Sequence, residues 1–145
     1  MLPSREYPER PFIGVGGVVI SGNRVLLIQR GKPPLEGQWS IPGGMLELGE
    51  TLIGGVRREL AEETGLDVRV LDLIEVFERV DLDQAGKPKY HFVVLDYLCE
   101  VSSDTAIAGS DVVNVAWVDQ ADLERYSLTP TATRVIGKAF EMAQR

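Results

Sequence analysis

Apolar, largely β-branched residues run unbroken from Ile13 to Ile20 (IGVGGVVI), which predicts a strand buried on both faces. Ser21-Gly22-Asn23 is a turn signal, and Arg24–Arg30 (RVLLIQR) resumes the apolar pattern, so the two segments are expected to pair as a hairpin. The period then changes. Leu52, Ile53, Val56 and Leu60 recur at helical spacing, Thr51 suits an N-cap, and Gly65 suits the C′ position with Leu66 as the apolar contact beyond it. Gly54 and Gly55 cost such a helix about 1 kcal/mol each relative to Ala, which marks them as sites of close backbone approach. Residues 68–80 alternate as a long strand, 81–89 carry the Gly86 and Pro88 of a hairpin loop, and 90–101 return as its partner. After a small, polar loop at 102–110, residues 112–118 form another strand, Asp119 caps a short helix over 120–126, and Pro130 opens a last helix running to Gln144. Val135, Ile136, Ala139, Phe140 and Ala143 are its expected buried stripe.

Strands interleaved with two main helices imply an α/β fold, a mixed β-sheet covered by helices on both faces. With no repeat, low-complexity tract or linker, residues 1–145 are expected to be one domain, led by an irregular arm at 1–11 that carries Pro3, Pro8 and Pro11. That arm is free to drape over the domain or a partner subunit, so a homodimer is among the expected partners. Residues 31–37 (GKPPLEG) read as a stiff polar surface loop.

Composition narrows the function. A net charge of −7 argues against nonspecific nucleic-acid binding and against a polybasic membrane surface. No apolar run reaches membrane-spanning length, the first residues lack the apolar core of a signal peptide, and Cys99 is the only cysteine. A reducing cytoplasm fits. Neither nucleic acid nor membrane is an expected partner, and an anionic substrate would have to be attracted locally, by bound metal and a few Arg or Lys side chains.

The densest chemistry lies in the central helix. Glu59, Glu62 and Glu63 are three and four residues apart, which places their carboxylates along one side within a turn. Like charges so close repel by a few tenths of a kcal/mol per pair, and a hard divalent cation with oxygen ligands reverses that sign. Gly44, five residues, Glu50, seven residues, then Arg58-Glu59-Leu60-Ala61-Glu62-Glu63-Thr64-Gly65-Leu66 resembles at every specified position the Nudix box, G-x5-E-x7-R-E-U-x-E-E-x-G-U, with U apolar. A chance match is on the order of 10⁻⁷ at average residue frequencies, against the alternative of an ordinary acidic amphipathic helix. The lead-in Trp39-Ser40-Ile41-Pro42-Gly43-Gly44 is also similar to the family's.

The resemblance implies a Nudix-type α/β/α sandwich and hydrolysis of a diphosphate linkage in a nucleoside diphosphate joined to a group X. It implies Mg²⁺, with Mn²⁺ as a substitute, held by Glu59, Glu62, Glu63 and the carbonyl of Gly43. Glu50 and Arg58 match positions that pair and orient the helix. The general base varies in the family, between a box glutamate and a loop carboxylate such as Asp111, which stands just ahead of the 112–118 strand. Glu100 and Asp104 are lesser alternatives to Asp111. Arg30, Lys32 and Arg79 are candidates to meet phosphate or ribose. Trp39 is a stacking platform or a packing residue under the loop, and Phe12, Phe77, Tyr90 and Tyr126 could stack on a base. His91, the only histidine, suits a packed strand position better than catalysis. The segment from Arg30 to Glu50 is similar to small bacterial ADP-ribose pyrophosphatases, so ADP-ribose or a similar nucleoside diphosphate sugar is the expected substrate. Two alternatives stay open: a pyrophosphatase of oxidised nucleoside triphosphates, and a non-catalytic nucleotide sensor of the same fold.

Overall fold

The computed structural model describes residues 5–32 and 35–145; residues 1–4 of the expected arm and Pro33-Pro34 of the 31–37 loop lie outside the described residues. Strands β1 (Phe12–Ser21) and β2 (Arg24–Arg30) form the expected hairpin, turning through Gly22, whose φ of 61° is the left-handed conformation a glycine adopts without strain. They are bonded to each other only at Ile20–Val25 and Ser21–Arg24, next to the turn. Beyond that point β4 (Gly43–Met45) takes the edge of β1, and β3 (Trp39–Ser40) takes the edge of β2. The parting of the two central strands opens the cleft described below.

Among the described residues, seven strands make one mixed sheet. β6 (Pro88–Glu100) runs parallel to β1 and antiparallel to the edge strand β5 (Arg69–Leu82), while β7 (Val112–Asp119) lies antiparallel along β2. Alternation along the central strands divides the core in two. Val15 and Val19 of β1 and Leu26 of β2 pack with Val56 and Leu60 of helix α1 (Leu52–Thr64). Val18, Val25 and Leu27 point the other way, against Val135, Ile136, Ala139 and Phe140 of α2 (Pro130–Ala143). Apart from Ala139, each of these buried side chains contributes roughly 1.5–3 kcal/mol. The result is the expected α/β/α sandwich. A 3-10 helix at Gln120–Tyr126 leads into α2, which starts at Thr129 as N-cap with Pro130 in its first turn. Arg134 and Lys138 both pair with Glu75, tying α2 to β5.

Two stripe positions differ from expectation. Ile53 is half exposed, in a surface groove beside Arg57 and Val68, while its neighbour Leu52 packs on the core. Ala143 is exposed at the frayed end of α2, where Met142 packs on the core instead. Gly55 does mark a close approach: a Cβ there would stand 2.8 Å from Leu46 Cδ1 and 3.3 Å from Val15 Cγ2. Residues 5–10 form no strand or helix and dock on the β5–β6 turn, where the Tyr7 N–H donates to Lys89 O and the Tyr7 hydroxyl to Asp83.

Candidate active site

Helix α1 is fixed at both ends. The Thr51 hydroxyl accepts from the Gly54 N–H at 3.0 Å, and Gly65, at φ 70°, closes the helix with its N–H on Ala61 O. The loop after β6 satisfies further terminal carbonyls: the Ile107 N–H donates to Thr64 O, the Gly109 N–H to Glu63 O, and the Ser110 hydroxyl to Glu62 O. Gly109 lies so close to α1 that a Cβ on it would overlap Glu62 O. This docking carries Asp111 to the lip of a cleft of about 590 Å³ that opens between β1 and β2.

One end of the cleft is acidic. Arg58 fastens it: its guanidinium donates twice to Glu50, once to Met45 O at 3.0 Å and once to Glu59 at 2.8 Å, and reaches Glu62 at 3.4 Å. Glu50 also accepts from the Glu47 N–H. The guanidinium, and after it that N–H, hold Glu50 at about 2, so it is ionised throughout the neutral range. Glu50 and Arg58 thereby tie the β4–α1 loop to the helix and aim Glu59.

Glu63 and Glu59 have the opposite electrostatics. Burial pushes Glu63 up to about 7, opposed by the hydrogen bond it accepts from the Gly43 N–H at 2.8 Å and reinforced by the charge of Glu59, while Arg30 draws it down. Burial also raises Glu59, against the pull of Arg58. Both carboxyls lie against the Gly43-Gly44 backbone, and a Cβ at Gly44 would stand 2.5 Å from the carboxyl atoms of Glu59. Glycine is required there for the carboxylate to fit.

Among the described residues, no three His, Cys, Asp or Glu side chains converge as a ready-made metal cage. The Arg58 guanidinium sits among Glu50, Glu59 and Glu62 instead, and Glu62, about half exposed, has room to turn. The donor set nonetheless fits a hard divalent cation: the carboxylate oxygens of Glu59 and Glu63, half-buried and raised by desolvation, beside a side-chain-free backbone cradle. Glu59, Glu62, Glu63 and Gly43 all line the cleft.

Arg30 and Asp111 line it too. Among the described residues, the Arg30 Nε is buried without a hydrogen-bond partner. Asp111 pairs with Lys32 at 2.9 Å on an exposed rim. Trp39 and Arg79 lie elsewhere. The Trp39 ring packs edge-on to Tyr126, 5.1 Å between centroids, against the α2 side of the core, which is the packing role. Arg79 pairs with Asp81 on the surface of β5. Glu100 and Asp104 pair with Arg69 and Arg24, and His91 sits opposite Val80 in the β5–β6 ladder. Phe77 packs toward α2, while Phe12 and Tyr90 flank Phe92.

One cleft residue was not singled out from the sequence. Asp96, on β6, is 5% exposed, and burial, with the nearby charge of Glu75, pushes its carboxyl up to about 6. The signal was available: it is the one acid in the interior of the run His91–Cys99.

A model of the Nudix domain matches residues 10–138. The chain belongs to the Nudix family. Among its Nudix relatives, an ADP-ribose pyrophosphatase of Methanocaldococcus jannaschii is 33% identical over 115 residues, 79% of this chain and 66% of the relative. A putative 8-oxo-dGTP diphosphatase of Mycobacterium tuberculosis is 49% identical over 57 residues, 39% of this chain and 40% of that protein. The chain thus spans just under two thirds of the first relative's length and less than half of the second's. Among solved structures, the Nudix domain of Shewanella oneidensis NrtR complexed with ADP ribose superposes with a TM-score of 0.74 at 25% identity, covering 93% of this chain and 90% of that one. Nudix hydrolases generally require a divalent metal, and the carboxylates of α1 are the Nudix box residues. No described helix is long and apolar enough to cross a membrane.

Proposed function

We propose that residues 1–145 form a single Nudix domain acting in the cytoplasm as a divalent-metal-dependent pyrophosphohydrolase, cleaving the diphosphate of ADP-ribose or a similar nucleoside diphosphate sugar. The observation that carries the reaction type is the carboxylate pair of Glu59 and Glu63, one held by Arg58 and the other by the Gly43 N–H, set against the Gly43-Gly44 backbone at the end of an open cleft. Mg²⁺, or Mn²⁺ in its place, would be held by Glu59, Glu62, Glu63 and the Gly43 carbonyl, and would supply charge neutralisation on the diphosphate oxygens and acidification of water.

The chain's own residues do the positioning. The Gly43 N–H orients Glu63, Arg58 orients Glu59, and Arg30 brings a positive charge to the same end. Asp111, at the lip of the cleft, would accept the proton of the attacking water, with a box glutamate as the alternative base. The water oxygen bonds to phosphorus as the bridging P–O bond breaks, giving AMP and ribose 5-phosphate from ADP-ribose. Such catalysis is mostly electrostatics and orientation, which suits a site with few reactive side chains.

The sugar-linked substrate is supported by the likeness to the archaeal pyrophosphatase, which extends over 79% of this chain. A second reading, release of pyrophosphate from an oxidised nucleoside triphosphate, is supported by the higher identity of the mycobacterial relative over its shorter match. Chromatography of the products from an equimolar mixture of ADP-ribose, NADH, diadenosine polyphosphates and normal and oxidised triphosphates tests both. Ribose 5-phosphate with AMP is the expected outcome; pyrophosphate without ribose 5-phosphate refutes the sugar reading.

A further inference from the structure

One cation of the cleft comes from outside the sheet and helices. Arg5, on the N-terminal arm, lines the cleft together with Arg30 from the end of β2. Ion pairs occupy most other arginines: Arg24, Arg57, Arg69, Arg79 and Arg134 each have a carboxylate partner, and Arg58 lies among Glu50, Glu59 and Glu62. Among the described residues, neither Arg5 nor Arg30 has a carboxylate at ion-pair distance, and the Arg30 Nε is buried without a partner. Two guanidinium groups at one cleft can therefore take up an anion, in a chain whose net charge of −7 would otherwise repel it. The planar fork of a guanidinium matches two phosphate oxygens.

The arm that carries Arg5 is pinned. The Tyr7 N–H donates to Lys89 O at 2.8 Å, and the Tyr7 hydroxyl to Asp83 at 3.0 Å. The Tyr90 hydroxyl donates to Glu6 at 3.0 Å, and Lys87 Nζ lies 5.1 Å from the centre of the Tyr7 ring. Tyr7 takes a φ of 50°, the left-handed conformation that is strained for a bulky side chain. Such strain persists only where the surroundings fix it, and it gathers at functional positions. Here the β5–β6 hairpin fixes it, and so sets the course of the chain two residues from Arg5. We propose that the arm is part of the substrate site, and that Arg5, with Arg30, binds the phosphate oxygens of the nucleotide. A pinned arm loses less conformational freedom on binding than a loose one, so more of the guanidinium–phosphate attraction is kept as affinity.

The inference rests on reading the cleft as a nucleotide site, and its test avoids turnover. AMP and adenosine share base and ribose and differ by the phosphate. Each is titrated at low salt and pH 6.5 into metal-free protein in EDTA, for the wild type and Arg5→Gln. Nitrogen-edited NMR follows the backbone amides and the arginine Nε–H signals, that of Arg5 being identified by its absence from the variant. AMP is expected to shift the Nε–H signals of Arg5 and Arg30, and adenosine to leave them in place. Arg5→Gln should weaken AMP at least fivefold and leave the affinity for adenosine unchanged. An Arg5 signal unmoved at saturating AMP, an unchanged AMP affinity in the variant, or an equal loss for AMP and adenosine overturns the proposal. If AMP still shifts the Gly14 and Gly44 amides in those cases, the nucleotide site itself stands. If AMP shifts neither these amides nor the arginines, both readings fall.

Discussion

Replacing Glu63 with Gln should strengthen the metal-free fold while removing the function. Burial holds the Glu63 carboxyl at about 7 in place of its ordinary 4.5. The folded state therefore binds this proton more tightly than the unfolded chain does. The group's favourable contribution is complete below about 4.5, declines as pH rises, and is gone above about 7. At about 1.4 kcal/mol per pH unit the decline comes to up to about 3 kcal/mol. Gln keeps an oxygen for the Gly43 N–H but carries no charge to desolvate or to repel Glu59. In EDTA at pH 8, Glu63→Gln should be more stable than the wild type by about 1–3 kcal/mol, a rise of roughly 1 M in the urea midpoint, and the advantage should shrink toward pH 5. Urea unfolding followed by the fluorescence of Trp39 and Trp117 measures it. Saturating Mg²⁺ should stabilise the wild type and leave the variant nearly unchanged. A variant less stable than the wild type at pH 8 in EDTA, or one with the same pH dependence, would refute the reasoning.

Glu59→Gln and Glu63→Gln should each lower turnover at least ~100-fold, about 3 kcal/mol of transition-state stabilisation, in steady-state assays at limiting Mg²⁺; near-normal activity of Glu63→Gln would remove it from the metal set. Asp111→Asn should reduce kcat much more than it raises KM and alter the acidic limb of the pH profile, whereas an unchanged kcat and profile would move the general base to a box glutamate or another loop carboxylate. Gly44→Ala, which sets a methyl against the Glu59 carboxyl, should weaken calorimetric Mg²⁺ binding about tenfold or more with the circular dichroism intact, and undiminished affinity would show the cradle to be irrelevant.

Elements with a local signature could be read from the chain: the apolar runs of β1 and β2, the 3.6 period and caps of α1, and the Pro130 start of α2. Strands β3 and β4, two and three residues long, could not, because no periodicity fits so few residues and they exist only where β1 and β2 part. The carboxylates of α1 were legible through helical spacing alone. Asp96 was not, because its setting comes from the strands beside it: Gly16 vacates the space and β5 brings Glu75. Trp39 shows the same limit, since the residue that fixes its packing role, Tyr126, comes from the far end of the chain. That the loop after β6 docks on α1 through Ile107, Gly109 and Ser110 follows from unsatisfied helix-end carbonyls, a need visible in sequence without its partner.

The most direct test of the metal-dependent hydrolase is phosphorus NMR of ADP-ribose incubated with the purified chain, in Mg²⁺ and in EDTA, beside Glu63→Gln. The predicted result is conversion of the diphosphate signals to those of AMP and ribose 5-phosphate in Mg²⁺ only, and at most about 1% of that rate in the variant. Diphosphate signals that persist with Mg²⁺ present, or that disappear equally in EDTA or in Glu63→Gln, would contradict it.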